Sequence, residues 1–116
     1  MIKLQKLKKD FVPFEIKGIN VIVRINAVED RTFITYDECK FTIVNKDVLA
    51  SSIIKANYSQ DKMDAIRNNY ELVRDGTAGD KTQEYTDEYL AMQEWRRYAK
   101  ELASEIMEEC ERQRGQ

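Results

Sequence analysis

The sequence contains no histidine. Without an imidazole there is no Ser-His or Cys-His nucleophile pair, no imidazole acid or base working near neutral pH and no His-containing zinc site. Most familiar hydrolase designs are thereby excluded, and only carboxylate, Lys or Tyr groups remain for proton transfer. Cysteine is nearly as scarce. Cys39 and Cys110 are too few for a disulfide framework and suit a reducing compartment, where each is expected to be an unpaired packing residue. The single proline, Pro13, cannot donate to a β-ladder, so a strand over 11–16 belongs at a sheet edge or at a bulge. Long apolar runs are missing too. The opening MIKLQKLKKD has no signal-peptide core, and no stretch approaches the roughly 20 apolar residues of a membrane span, so a cytoplasmic location is expected. Finally there is no basic excess: 34% of residues are charged but the net charge is −2, which disfavours nucleic acid as a partner.

What is present fits one domain, residues 1–116. A chain of 116 residues that is 42% hydrophobic can bury one ordinary core. Charge is unevenly spread, because Lys3, Lys6, Lys8, Lys9 and Lys17 oppose only Asp10 and Glu15 near the start, while the segment after Lys81 is acidic. Such asymmetry can steer subunits head to tail. The part up to residue 45 reads as β-rich. FVPFEI at 11–16 and INVIVRINAV at 19–28 flank Lys17-Gly18, a tight hairpin in which Gly18 accepts a positive φ. Alternation puts Val21, Val23, Ile25 and Ala27 on the core face and Ile22, Arg24, Asn26 and Val28 on the other. After Glu29-Asp30-Arg31 come TFITY at 32–36, a break at Asp37-Glu38, and CKFTIVN at 39–45. Short breaks predict an antiparallel meander of about four strands, with MIKLQKL either a fifth strand or a mobile basic arm.

From Asn45 the hydrophobic period changes from two to about 3.6, and two helices are expected over 46–75. Asn45 or Asp47 caps the first, which buries Leu49, Ile53 and Ala56; Ser59 or Asp61 caps the second, which carries Met63, Ile66, Tyr70 and Val73. A loop at 76–81 follows, with Gly76 placed to end the helix. The last helix, 82–113, starts at Thr82 as N-cap and carries Tyr85, Tyr89, Met92, Trp95, Ala99, Leu102, Ile106 and Cys110 in steps of three and four. Some 30 residues span roughly 45 Å, more than the roughly 35 Å width of a compact domain of this length, so part of the helix should project. The stripe from Tyr85 to Ala103 should be covered, and the charged end from Glu108 onward can stand alone. The fold class is thus α+β: an N-terminal antiparallel sheet, two short helices and one long amphipathic helix.

The candidate sites are few. Asp37, Glu38 and Asp47 lie near expected turns, and the Asp75–Asp80 segment is rich in oxygen, yet neither has EF-hand spacing, so no metal is expected. Gly76 and Gly79 follow a helix, not a strand, and lack a Lys-Ser/Thr ending, so they do not form a phosphate loop. No catalytic residue and no cofactor site is expected, and the chain reads as not an enzyme. Trp95-Arg96-Arg97-Tyr98 sets two guanidinium groups beside two aromatics, a mixture suited to packing or to a protein interface. The interface hypothesis comprises Tyr85, Tyr89, Met92, Trp95, Tyr98, Leu102 and Ile106.

The segment from Tyr58 to Met107, YSQDKMDAIRNNYELVRDG followed after a short loop by TDEYLAMQEWRRYAKELASEIM, resembles the C-terminal halves of small phage and prophage proteins encoded among tail and virion genes. The resemblance covers less than half of the chain and carries over no catalytic residue. It implies a small virion-associated or tail-assembly protein that works by self-association or docking. A bacterial regulatory or adaptor domain binding one protein partner is the alternative. In both readings the partner is protein, with no membrane and no nucleic acid.

Overall fold

The computed structural model describes residues 2–115: four antiparallel strands in one sheet, then two helices and a long C-terminal helix. Strands β1 (Ile2–Leu7), β2 (Phe14–Lys17), β3 (Asn20–Glu29) and β4 (Phe33–Thr42) stand in the order β1-β4-β3-β2. Strands β2 to β4 form the expected meander, and β1 adds to the far side of β4, pairing Leu4 with Tyr36 and Leu7 with Phe33. From Ile2 to Leu7 the opening segment is therefore a strand and not a mobile arm. Between Lys17 and Asn20 the chain turns through Gly18 and Ile19, with Gly18 at φ 63, the II′-like arrangement that glycine permits at the first turn position.

Two expectations for the sheet are corrected. TFITY and CKFTIVN form one strand, because the Asp37-Glu38 break does not exist. Both carboxylates have partners on neighbouring strands: Asp37 accepts from Asn26 Nδ2 at 2.8 Å and meets Lys3 Nζ at 3.2 Å, while Glu38 lies opposite Arg24. Alternation in β3 also stops at Ile25, where a bulge sets Asn26 and Ala27 against Tyr36 and resumes with Val28 opposite Thr35. Asn26 takes φ 57 there, and Ala27 is exposed where the core face was expected to continue. Asn57 at the end of the first helix exchanges two amide hydrogen bonds of 2.9 Å with Asn26, so the bulge is tied to the helical layer.

Helices α1 (Lys46–Asn57) and α3 (Thr82–Arg114) pack on one face of the sheet, and α2 (Gln60–Arg74) packs against α3. Asn45 Oδ1 caps α1 by accepting from Val48 N, and Ser59 Oγ caps α2 by accepting from Lys62 N. At the end of α2, Gly76 N donates to Val73 O and Thr77 N to Leu72 O, the paired bonds of a Schellman motif, with Gly76 at φ 75. Thr82 is not a cap. A 3-10 turn, Gly79–Lys81, leads straight into α3, and Thr82 Oγ1 donates back to Gly79 O at 2.8 Å. The main core joins Val21, Val23, Ile25 and Cys39 from the sheet to Leu49, Ile53, Met63, Ile66, Met92, Leu102 and Ile106.

The opposite face of the sheet holds a second, smaller core. Strands β1 and β2 occupy opposite edges, so residues 8–13 must cross β4 and β3 on the outer side. That crossing brings the Phe11 ring to 5.4 Å from Tyr36, which is buried together with Ile34 although neither belongs to the helix-facing core. Arg24, expected on the solvent side, is 5% exposed under this crossing. It donates to Glu15 Oε1 at 2.7 Å and to the Val12 carbonyl at 3.2 Å, and its guanidinium lies 5.8 Å from the Tyr36 ring centre. Glu15 is correspondingly held below the usual carboxylate range by the hydrogen bond and charge of Arg24.

The molecule is elongated, 56 × 36 × 19 Å, with a radius of gyration of 17.0 Å. A compact chain of this length would have about 13 Å. Helix α3 accounts for the difference, but the charged end is not the part that projects: Ile106 and Cys110 are buried, and Cys110 lines a hollow with Ile16 and Ile43 of the sheet side. The start of α3 projects instead, braced by α2 through Tyr70 and Tyr89, whose rings stack 3.9 Å apart at 4°. The physical reason is that the apolar stripe persists to Cys110 while the carboxylates of the last turns occupy the outer side.

Candidate functional site

Two concavities flank α3, one apolar and one basic. The apolar cleft, about 540 Å³, opens where β2 ends. Beyond Arg24, whose N–H still reaches the Pro13 carbonyl at 2.9 Å, β3 has no strand beside it on the β2 side. Its residues Ile25, Asn26 and Ala27 form the floor; Phe11 and Pro13 make one wall, and Tyr58, Ala91, Trp95 and Tyr98 the other. Trp95 is fixed by its indole N–H, which donates to the Ile54 carbonyl at 3.2 Å, and its ring lies 5.4 Å from that of Tyr98. Burial and the neighbouring Glu105 carboxylate push the Tyr98 phenol up from its ordinary value, so it stays a neutral hydrogen-bonding group throughout the physiological range.

The seven interface residues expected from the sequence divide sharply. Met92, Leu102 and Ile106 are at most 3% exposed and belong to the chain's own core, so they are not available to a partner. Tyr85 and Tyr89 are half-buried, the latter against Tyr70. Only Trp95, half-buried, and Tyr98, 39% exposed, face an opening. The stripe lies along α3 where the sequence places it, and its cover comes mostly from α1, α2 and the sheet. Sequence reasoning missed the other cleft wall, since nothing in FVP signals that the crossing segment ends beside the open edge of β3.

The basic concavity, about 510 Å³, lies among all three helices. Lys46 and Lys55 of α1, Arg67 of α2, and Arg96 and Lys100 of α3 surround a floor of Ala50, Ile54 and Met63. Sequence order hides this cluster because the five cations are spread along the chain from Lys46 to Lys100. The outer side of α3 behaves differently: Arg97 pairs with Glu94 and Arg112 with Glu109 at i,i+3 spacing.

Apolar residues also remain uncovered at the β1 edge, where Ile2 is 64% and Leu4 38% exposed, on the strand that carries Lys3 and Lys6. Among the described residues, no three potential metal-ligating side chains converge, and no helix is long and apolar enough to cross a membrane. No family model matches the chain, and neither a curated protein nor a solved structure is found to be similar to it.

Proposed function

We propose that the chain is a non-enzymatic phage or prophage structural or tail-assembly protein that works by protein–protein association, and that the occupant of its apolar cleft is a second copy of itself. The observation that carries this reading is the cleft between Phe11–Pro13 and Trp95–Tyr98, an aromatic-lined opening at an unpaired stretch of strand edge. Charge complementarity favours a second copy as the occupant. Glu101 and Glu105 are exposed on the α3 turns beside Tyr98, whereas the β1 edge offers exposed Ile2 and Leu4 with Lys6 and Lys9; none of these four charged residues forms an ion pair among the described residues. Two different surfaces meeting in this way make a heterologous, head-to-tail contact, which closes into rings or extends into filaments. Repeating geometry of that kind suits a virion or tail component.

Sedimentation velocity from low micromolar to several hundred micromolar protein tests the association. The expected result is concentration-dependent assembly that weakens with salt and is lost both in Tyr98→Asp and in Lys6→Glu/Lys9→Glu. Mixing the two variants should restore a heterodimer, since each keeps the surface the other lacks, and growth should stop there. A chain that stays monomeric throughout the range, or variants that assemble like the parent, would overturn the self-association. The phage assignment is tested separately by the genes beside this reading frame: tail or virion genes on both sides support it, and their absence leaves the adaptor reading in its place.

A further inference from the structure

We propose that the basic concavity among the three helices is a binding site for a compact polyphosphate, recognised through its phosphate groups. Five cationic residues, Lys46, Lys55, Arg67, Arg96 and Lys100, line one hollow in a chain whose net charge is −2, and Asp47 is the only carboxylate in the lining. Lys46, Lys55, Arg96 and Lys100 form no ion pair among the described residues, and Arg67 has only a 3.7 Å contact to Asp64. The same helix pairs Arg97 with Glu94 and Arg112 with Glu109 at i,i+3 spacing, whereas Arg96 and Lys100, on the concave side, have no carboxylate partner among the described residues. Like charges gathered without counterions repel, and the arrangement is relieved when an anion enters.

Geometry narrows the anion to a class. The cations converge on one hollow from three helices; they are not strung along a single exposed face, as a polymer backbone would require. The first residues of α1, Lys46 and Asp47, and of α2, Gln60, belong to the lining, so the positive ends of two helix dipoles lie beside the hollow. Ser51 and Ser104 place hydroxyls in the lining. No aromatic side chain lines it, so a nucleobase would find no stacking platform and recognition rests on the phosphates. A volume of about 510 Å³ accommodates a triphosphate group, whether free or carried by a nucleotide.

Calorimetric titration of the full chain with inorganic tripolyphosphate at low ionic strength tests the site, followed by the same titration with ATP. Saturable binding with one site per chain is expected, similar for both ligands, and at least tenfold weaker in Arg96→Glu/Lys100→Glu. Arg97→Glu serves as the control, because it changes the net charge on the same helix outside the hollow and should leave affinity within about twofold. Circular dichroism checks that each variant folds, and Lys55→Glu gives a second, independently placed test. Absence of saturable binding, or an equal loss in the Arg97→Glu control, overturns the proposal. So does tenfold tighter binding of an oligoglutamate peptide or a single-stranded oligonucleotide, since either would assign the hollow to a macromolecule.

Discussion

Replacing Arg24 by alanine tests whether the outer face of the sheet is a true second core. The side chain is 5% exposed, and its truncation removes two buried methylenes and the charged donor that meets the Val12 carbonyl at 3.2 Å. Methylene burial at about 0.8 kcal/mol each and a charge-assisted hydrogen bond of about 1.5 kcal/mol give a loss of about 3 kcal/mol. The ion pair with Glu15 is left out of that figure because the Glu15 side chain is 37% exposed and water replaces the lost partner. Urea denaturation followed by far-ultraviolet circular dichroism measures the difference, with Trp95 fluorescence as a second probe. Arg24→Met keeps the apolar stem and should recover about half of the loss. A change for Arg24→Ala below about 0.5 kcal/mol, the range of an ordinary surface substitution, would refute the reasoning and reduce the crossing segment to a loose strap.

Other consequences follow from the same packing. Met92→Ala should cost about 2–5 kcal/mol by denaturant titration, because a side chain with 0% exposure leaves a cavity, and a negligible cost would mean that α3 is not covered by its own chain. At the bulge, Asn26→Ala should destabilise more than Asn26→Gly by about 1 kcal/mol, since both lose the amide pair with Asn57 but only alanine resists φ 57; equal effects would locate the whole cost in the hydrogen bonds. Acid should weaken the fold. The carboxyl of Asp37 is held low by the Asn26 hydrogen bond and then by Lys3, and that of Asp30 by the backbone N–H groups of Phe33 and Thr32. A depressed folded value contributes stability above the unfolded carboxylate range of about 4, and this contribution is lost as pH falls through and below it. Thermal midpoints measured from neutral pH downward should therefore decline in that window, and less steeply in Asn26→Gly.

The helices were legible because their signals are local. Stripes at a period of about 3.6, the caps at Asn45 and Ser59 and the stop at Gly76 are all contained within a few residues of one another. Strand β4 was misread for the opposite reason. Asp37-Glu38 looks like a turn until Lys3, Arg24 and Asn26 are brought alongside, and those partners come from other strands. The bulge left a faint trace, an Asn where φ is positive, but nothing local marked it as the end of alternation. The candidate site was half visible: Trp95 and Tyr98 stood out on the helix, whereas Phe11 and Pro13 reach them only because β1 and β2 lie at opposite edges. The basic hollow was invisible, because five cations spread from Lys46 to Lys100 converge only once three helices have packed.

The order in which the parts of this fold become available during synthesis differs from the order in which they are needed. The three meander strands can pair as soon as Thr42 has emerged, and β1 closes onto β4 at the same stage. Their inner face, with Val21 and Val23 wholly enclosed in the finished protein, can receive α1 early but is closed only by Leu102, Ile106 and Cys110, more than half the chain later. A nascent sheet with an open apolar face is prone to pairing with neighbours, and the delay lengthens with every pause before α3 is finished. The protein is therefore expected to depend on the speed of its last stretch of translation, or on a chaperone that shields the sheet until the long helix arrives.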